Sequence, residues 1–212
     1  MSKKSKISRR NAIKTFALGS STLAFPKFNH MISTNSIKKP LKGNINQSVC
    51  KWCYGKMPLE KLAQEAKKLG LVGIDLIGAE GWDVLKKYDL TSTMCYGDLE
   101  GKLTRSLTNG WCEKKFHKDL ISHYKRHIKL VAEAGWTNLI CFSGNRRGMS
   151  DSEGLDNCIE GLSQIIPIAE DHGVILQMEL LNSKINHPDY MCDNSPWGVA
   201  LCKALGSSNF KL

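Results

Sequence analysis

The sequence has no apolar run long enough to cross a membrane. A spanning helix needs roughly 20 consecutive apolar residues. The weakly apolar stretch at residues 15–25 falls short of this length and is interrupted by a glycine, two serines and a threonine. No other segment comes closer, so the sequence predicts no stable membrane span.

Two common site motifs are also missing. No G-x-G-x-x-G loop follows the first predicted strand, where residues 53–58 read CYGKMP, so a dinucleotide site is not indicated. Cys50 and Cys53 have C-x-x-C spacing, but no second pair accompanies them. Since structural zinc usually takes four ligands, this pair is only a weak indication of a metal or redox site.

The first 42 residues contain no acidic residue and ten Lys or Arg, which leaves 20 basic and 20 acidic residues in the rest of the chain. A domain with no net charge does not favour a nucleic-acid partner. Arg9 and Arg10 precede the weakly apolar stretch, an arrangement that resembles a twin-arginine export signal. We therefore expect a signal and linker at residues 1–42, a folded domain at 43–212, engagement of the twin-arginine export machinery and a periplasmic location. A disordered basic tail is the alternative.

All eight cysteines follow the predicted signal. An even number in an exported protein permits disulfides, but substrates of the twin-arginine route generally fold in the reducing cytoplasm before export. We expect most of these cysteines to be buried thiols.

Apolar runs alternate with amphipathic helices through residues 43–212, which is typical of parallel βα architecture. Strands are predicted at residues 45–54, 73–77, 91–96, 137–143 and 174–181, with a sixth opening at 209–212. Helices are predicted at residues 58–69, 82–88, 113–134, 152–171 and 195–205, with Gly70 and Gly206 as C-terminal caps. About five and a half βα units are therefore present, whereas a closed barrel needs eight. The count alone also permits an open doubly wound sheet.

Glu179 is the strongest candidate for chemistry because it lies in an otherwise apolar predicted strand. Burying an acid is costly unless a partner or a metal compensates. A structural salt bridge or exposure to solvent would also explain it. Asn182 and His187 follow in the next loop, where Asn182 could bind a substrate hydroxyl or cap the turn, and His187 could bind substrate or lie on the surface.

Other candidates lie at neighbouring strand ends. Asn145 and Arg146, followed by Arg147, suit an oxygen-rich or anionic substrate, although solvated surface arginines are equally compatible. Trp52 and Tyr96 could form an apolar wall against a sugar face or pack within a barrel. For Asp75, within the second strand, an internal ion pair or hydrogen bond is expected.

Several runs resemble hydroxypyruvate isomerase-like members of the xylose isomerase-like TIM-barrel superfamily. They are GIDL at residues 73–76, CFSGNR at 141–146, MELLN at 178–182 and HPDY at 187–190. The resemblance implies a (β/α)₈ barrel binding one divalent metal (Mn²⁺, Mg²⁺ or Zn²⁺) through Glu, Asp, His and Glu of strands five to eight. Glu179 matches the first ligand, and in such isomerases this glutamate also moves a proton between adjacent carbons through an enediolate.

The resemblance places the remaining metal ligands and a second catalytic glutamate beyond Leu212. We therefore expect the chain to be a truncated barrel that is inactive alone. The complete protein is expected to be a metal-dependent isomerase, of the aldose-ketose or epimerase type, acting on a small hydroxy-carbonyl compound or sugar. Alternatives are a metal-dependent lyase or dehydratase, a non-catalytic periplasmic carbohydrate-binding protein, and an inactive fragment. A DNA repair nuclease of the same fold is disfavoured by the neutral charge and the export signal.

Overall fold

The structure is a computed structural model, of which we describe residues 45–97 and 107–212. The predicted signal and linker at residues 1–42 lie outside the described residues. In the described part, no helix combines the length and apolarity that a membrane span requires.

Five short strands pair in parallel and in chain order. They are β1 (Ser48–Cys50), β2 (Gly73–Asp75), β3 (Asn138–Cys141), β4 (Ile175–Met178) and β5 (Phe210–Lys211). The segment 91–95 lies between β2 and β3, and is joined to them by the parallel bridges Gly73–Thr91, Ile77–Cys95 and Cys95–Leu139. Six consecutive strand positions therefore run side by side, which is the order found in a βα barrel.

Helices follow the strands, as the βα alternation predicted. They are α1 (Leu59–Lys68), α2 (Trp82–Lys87), α3 (Lys114–Glu133), α4 (Asp151–Leu162), α5 (Ile166–Asp171) and α6 (Ser195–Leu205), with 3₁₀ turns at Lys51–Tyr54 and Ala79–Gly81. The predicted glycine caps are confirmed, because Gly70 and Gly206 adopt φ of 79° and 64° after α1 and α6. Asn194 begins α6, and its side-chain oxygen accepts a hydrogen bond from the Trp197 amide at 3.0 Å.

Three predicted elements differ from the structure. The helix predicted at 152–171 is two helices, since Pro167 has no amide hydrogen and its ring would clash with the preceding turn of a continuous helix. The strand predicted at 45–54 ends at Cys50 and continues as a 3₁₀ turn, which places Cys53 in that turn and not on a strand. The third predicted strand forms single bridges only, and they lie on both sides of Leu76, whose φ of 58° ends the extended backbone directly after β2.

The core lies between the sheet and the helices. Ile74, Leu139 and Leu176, from three different strands, are fully buried in it. Successive side chains of a strand point to opposite faces. In β4, Leu176 and Met178 are therefore buried, while Gln177 and the following Glu179 are half-buried and reach the other face of the sheet.

Candidate active site

A cavity of about 570 Å³, here called the mouth cavity, lies at the carboxyl ends of the strands. It is lined by Trp52, Leu76, Tyr96, Leu107, Phe142, Glu179, Leu181 and His187. In βα barrels the functional groups come from this end of the strands and from the loops that follow them. Four of the candidate residues from the sequence, Trp52, Tyr96, Glu179 and His187, thus lie on one cavity.

Glu179 follows the last residue of β4, and its amide donates to the Cys141 carbonyl of β3 at 3.1 Å. Its carboxylate is half-buried, and among the described residues it has no hydrogen-bond or salt-bridge partner. Burial raises the pKa of Glu179, while the nearby His187 lowers it to a smaller extent. A carboxyl group with a raised pKa and room beside it is suited to accept and return a proton.

His187 is held by the turn that begins at Asn182. The His187 amide donates to the Asn182 carbonyl at 2.9 Å. The Asn182 side-chain oxygen accepts the amides of Lys184 and Ile185 at 2.9 and 3.3 Å. Asn182 is exposed and is not part of the mouth-cavity lining, so in this structure it shapes the turn that carries His187.

Aromatic side chains form one wall of the mouth cavity. Trp52, on the 3₁₀ turn after β1, is 71% exposed. The rings of Tyr96 and Phe142 lie 6.2 Å apart at 66°, in an edge-to-face arrangement. A flat exposed indole beside two further rings suits the apolar C–H face of a sugar.

The structure does not place Asn145 and Arg146 in the lining of the mouth cavity. The Arg146 guanidinium pairs with Asp151, and also donates to Asp193 and to the Met191 carbonyl, both at 3.1 Å. The main chain of Asn145 is bonded to Thr108, and forms a bridge with Tyr190. Both residues therefore join the loop after β3 to its neighbours.

A second cavity of about 430 Å³, the inner cavity, extends along the inner face of the sheet and shares Glu179 with the mouth cavity. Asp75 lines it and accepts hydrogen bonds from Ser48, at 2.7 Å, and from Thr93. Burial raises the pKa of Asp75, an effect that the bond from Ser48 opposes. The internal hydrogen-bond role predicted for Asp75 agrees with this geometry.

Sequence reasoning did not identify Tyr190 as part of the site. Its hydroxyl is fully buried and bonds to main-chain atoms of Ser143 and Glu179, both at 3.1 Å. Only its closeness in sequence to His187 pointed toward the site.

The described residues do not form a complete metal site. Across residues 45–97 and 107–212, no three side chains of His, Cys, Asp or Glu are arranged to hold an ion. Glu179 offers one open carboxylate, whereas divalent cations in proteins take several ligands. A divalent ion at Glu179 would therefore need donors additional to the described residues.

The parallel strands in chain order, with a carboxylate at their carboxyl ends, define a TIM-barrel protein. The sequence matches the xylose isomerase-like TIM-barrel family over residues 54–212, and the chain belongs to that family. Among curated proteins, no match to the sequence was found.

Solved structures share the fold at low sequence identity. The chain is similar to an AP endonuclease of family 2 from Brucella melitensis, with a TM-score of 0.68 and 15% identity over 78% of this chain and 67% of that one. It is also similar to D-psicose 3-epimerase from Clostridium cellulolyticum H10, solved with D-tagatose, with a TM-score of 0.61 and 12% identity over 79% and 62%. A third similar structure is 3-keto-D-glucoside 4-epimerase from E. coli, with a TM-score of 0.59 and 13% identity over 78% and 66%. The chain thus spans between 62% and 67% of the length of these proteins.

Proposed function

We propose that the protein is a sugar isomerase or epimerase in which Glu179 transfers a proton at a carbon next to a carbonyl group. The observation that carries the proposal is the open, half-buried Glu179 carboxylate, which lines the mouth cavity together with aromatic side chains. Two of the similar structures are sugar epimerases, which supports this reaction class. The AP endonuclease shares the fold, but residues 43–212 carry equal numbers of acidic and basic residues, which does not favour a DNA substrate.

The reaction consumes no oxidant or reductant. The Glu179 carboxylate removes the proton from the carbon beside the carbonyl, and the electron pair of the broken C–H bond forms the carbon–carbon double bond of an enediolate. For isomerisation, the proton of the neighbouring hydroxyl moves to the former carbonyl oxygen, which holds the negative charge, and a proton returns to the former carbonyl carbon, so that the carbonyl and hydroxyl positions exchange. Return to the carbon that lost its proton, from the opposite face, gives the epimer, and requires a second acid on that face.

The substrate class in this proposal is a small hydroxy-carbonyl compound or sugar. Trp52 and the rings of Tyr96 and Phe142 contact an apolar ring face, while Glu179 and His187 contact the oxygen-bearing carbons. Hydroxypyruvate, which is smaller and carries a carboxylate, is the member of this class suggested by the sequence resemblance. The two substrate types differ in charge and size, so they are tested side by side.

A divalent metal, Mn²⁺, Mg²⁺ or Zn²⁺, is part of the proposal as a cofactor that needs donors additional to Glu179. Such an ion would polarise the carbonyl and hydroxyl oxygens of the substrate.

The proposal also includes export by the twin-arginine machinery to the periplasm. Replacing Arg9 and Arg10 with lysines should then retain the protein in the cytoplasmic fraction, and unchanged fractionation would contradict this part.

A second candidate function is non-catalytic carbohydrate binding. The composition of the mouth cavity favours carbohydrate binding, because seven of its eight lining residues carry no carboxylate and most of them are apolar or aromatic. Such a protein would bind sugars without exchanging their carbon-bound hydrogens. The alternative of a chain that is inactive alone predicts neither binding nor exchange.

The test is hydrogen exchange in D₂O, which requires only the first proton transfer. The chain is incubated with D-fructose, D-tagatose, D-psicose or hydroxypyruvate, with and without added Mn²⁺, and deuterium at the carbon next to the carbonyl is followed by NMR. We expect incorporation that is lost in Glu179→Gln. Glu133→Gln is the matched control, because Glu133 is exposed at the end of α3, which leads into the opposite end of the sheet. Saturable binding without exchange would establish the carbohydrate-binding alternative, and neither binding nor exchange would establish the inactive one.

A further inference from the structure

Tyr190 connects the ends of two neighbouring strands. Its side chain is fully buried, although the loop that carries it borders the mouth cavity. The Ser143 amide, two residues beyond β3, donates to the Tyr190 hydroxyl at 3.1 Å. The hydroxyl in turn donates to the Glu179 carbonyl, directly after β4, at 3.1 Å.

These bonds fix the main chain of Glu179 on both sides. Its amide is bonded to the Cys141 carbonyl at 3.1 Å, where the regular ladder between β3 and β4 ends. Its carbonyl lies beyond that ladder, and a buried carbonyl without a partner is costly. The Tyr190 hydroxyl supplies that partner. Burial raises the pKa of Tyr190 well above its ordinary value, so the hydroxyl keeps the proton that it donates.

The same residue also holds the loop that carries His187. The Tyr190 amide donates to the His187 carbonyl at 3.0 Å. On the other side, Tyr190 forms an antiparallel bridge with Asn145, and the next amide, of Met191, donates to the Gly144 carbonyl at 2.9 Å. The side chain of Tyr190 thus anchors Glu179, and its main chain anchors the turn that presents His187.

We propose that Tyr190 is a positioning residue whose hydroxyl bridge fixes the Glu179 carboxylate relative to His187 in the mouth cavity. Tyr190 is not part of the cavity lining and does not take part in the proton transfer itself. The catalytic consequence rests on the function proposed above, whereas the geometric part can be tested without turnover. The rate of a proton transfer falls steeply when the group that makes it is no longer held in the correct orientation.

The chain offers a matched control for removal of the hydroxyl. Tyr124 is also buried, and its hydroxyl donates to the Ile140 carbonyl of β3 at 3.0 Å. Tyr190→Phe and Tyr124→Phe therefore each remove one buried hydroxyl that bonds to the main chain at or beside a strand. We expect both variants to lower the melting temperature by a similar amount, about 2–6 °C.

The discriminating measurement is amide hydrogen exchange at Ser143 and Glu179 in the folded full chain, followed by NMR. In Tyr190→Phe we expect both amides to exchange about tenfold faster than in the wild type, because the hydroxyl that joins the two strand ends is gone. In Tyr124→Phe their exchange should change no more than the loss of global stability explains. Equal exchange at these amides in both variants, with the same loss of melting temperature, would overturn the proposal and leave Tyr190 as a packing residue.

Two further readouts complete the test. In the unmodified chain, the Ser143 amide should exchange slowly with D₂O, since Tyr190 is its acceptor, and fast exchange of this amide would contradict the bridge even if the variant failed to fold. If the wild type exchanges substrate deuterium, Tyr190→Phe should lower kcat by about tenfold with little effect on KM. An absence of wild-type turnover would count against the proposed function, but would leave the amide-exchange result valid for Tyr190.

Discussion

Gly110 and Gly144 are in direct main-chain contact across the loops that precede α3 and follow β3. A Cβ atom built on Gly144 would lie 2.5 Å from the Gly110 nitrogen, and one on Gly110 would overlap the main chain of residues 142–144. The neighbouring amides of Trp111 and Cys112 donate to the carbonyls of Phe142 and Ser143 at 3.2 and 2.7 Å. This close approach fixes the position of Ser143, to which the Tyr190 hydroxyl is bonded.

Gly110→Ala should therefore lower the free energy of unfolding by roughly 2 kcal/mol or more. The added Cβ would overlap main-chain atoms, which cannot move aside as the end of a flexible side chain can. Gly173→Ala is the comparison. Its added Cβ meets nothing within 4 Å, but its φ is +66°, so a cost of about 1 kcal/mol is expected. Urea unfolding measures both. Equal losses would contradict a steric role of the contact between the two loops.

Glu179→Gln should stabilise the fold at neutral pH. Because the folded-state pKa of Glu179 is raised by burial, the folded chain binds this proton more tightly than the unfolded chain does. Its contribution to stability is therefore present below the unfolded pKa, and is lost as the pH rises through the folded one. We expect the variant to melt higher than the wild type at pH 7, by about 2 °C, with the difference shrinking at pH 4. A variant that melts lower at pH 7 would contradict the absence of a stabilising partner for Glu179.

Trp52→Ala should affect ligand binding far more than stability. Trp52 is 71% exposed, so little packing is lost when its ring is removed. We expect sugar affinity to fall about tenfold and the free energy of unfolding to change by less than about 1 kcal/mol. Trp82→Ala gives the opposite pattern, with a loss of about 3 kcal/mol or more, since Trp82 is buried and donates to the Ile77 carbonyl at 3.0 Å. Calorimetric titration with the sugars and urea unfolding separate the two effects.

Thiol labelling should identify a single fast cysteine. All eight cysteines are free, and Cys53 is the one that is exposed. Burial raises the pKa of Cys95 to about 11 and those of Cys112 and Cys192 to about 12. These buried thiols have almost no thiolate at pH 8, and should react with Ellman's reagent only after unfolding. Cys53→Ser should remove the fastest phase and leave the slower reaction of the half-buried Cys50 and Cys202, and an unchanged fastest phase would contradict the exposure of Cys53.

The local signals in the sequence predicted much of the fold. Helix α6 has the predicted bounds 195–205, because Asn194, Pro196 and Gly206 mark its ends through neighbouring atoms alone. Pro167 carries the same kind of local information, and would have placed the break between α4 and α5. The third strand differs for a reason that is not local, since its bridges are made to residues on both sides of Leu76, whose φ of 58° ends β2 at Asp75.

The sequence predicted a candidate site residue where its polarity differs from that of its neighbours in the sequence. Glu179 stands out as an acid in an apolar strand, and the structure places it on the mouth cavity. Arg146 gives no such signal, because its partners Asp151 and Asp193 meet it only after the loops fold together. Tyr190 is similar, since an aromatic residue in a loop does not reveal which main-chain atoms its hydroxyl will reach. The predicted roles of the site residues themselves, the metal and the export route remain predictions.

The single bridges of segment 91–95 divide the sheet into a two-stranded and a three-stranded ladder. This connecting segment is held by its own main-chain bonds, in which the amides of Thr91 and Cys95 donate to the carbonyls of Val72 and Asn138 at 3.0 and 2.9 Å. Trp52 follows a strand of the first ladder, and Glu179 follows a strand of the second. The distance between these two side chains across the mouth cavity therefore depends on the bonds of segment 91–95.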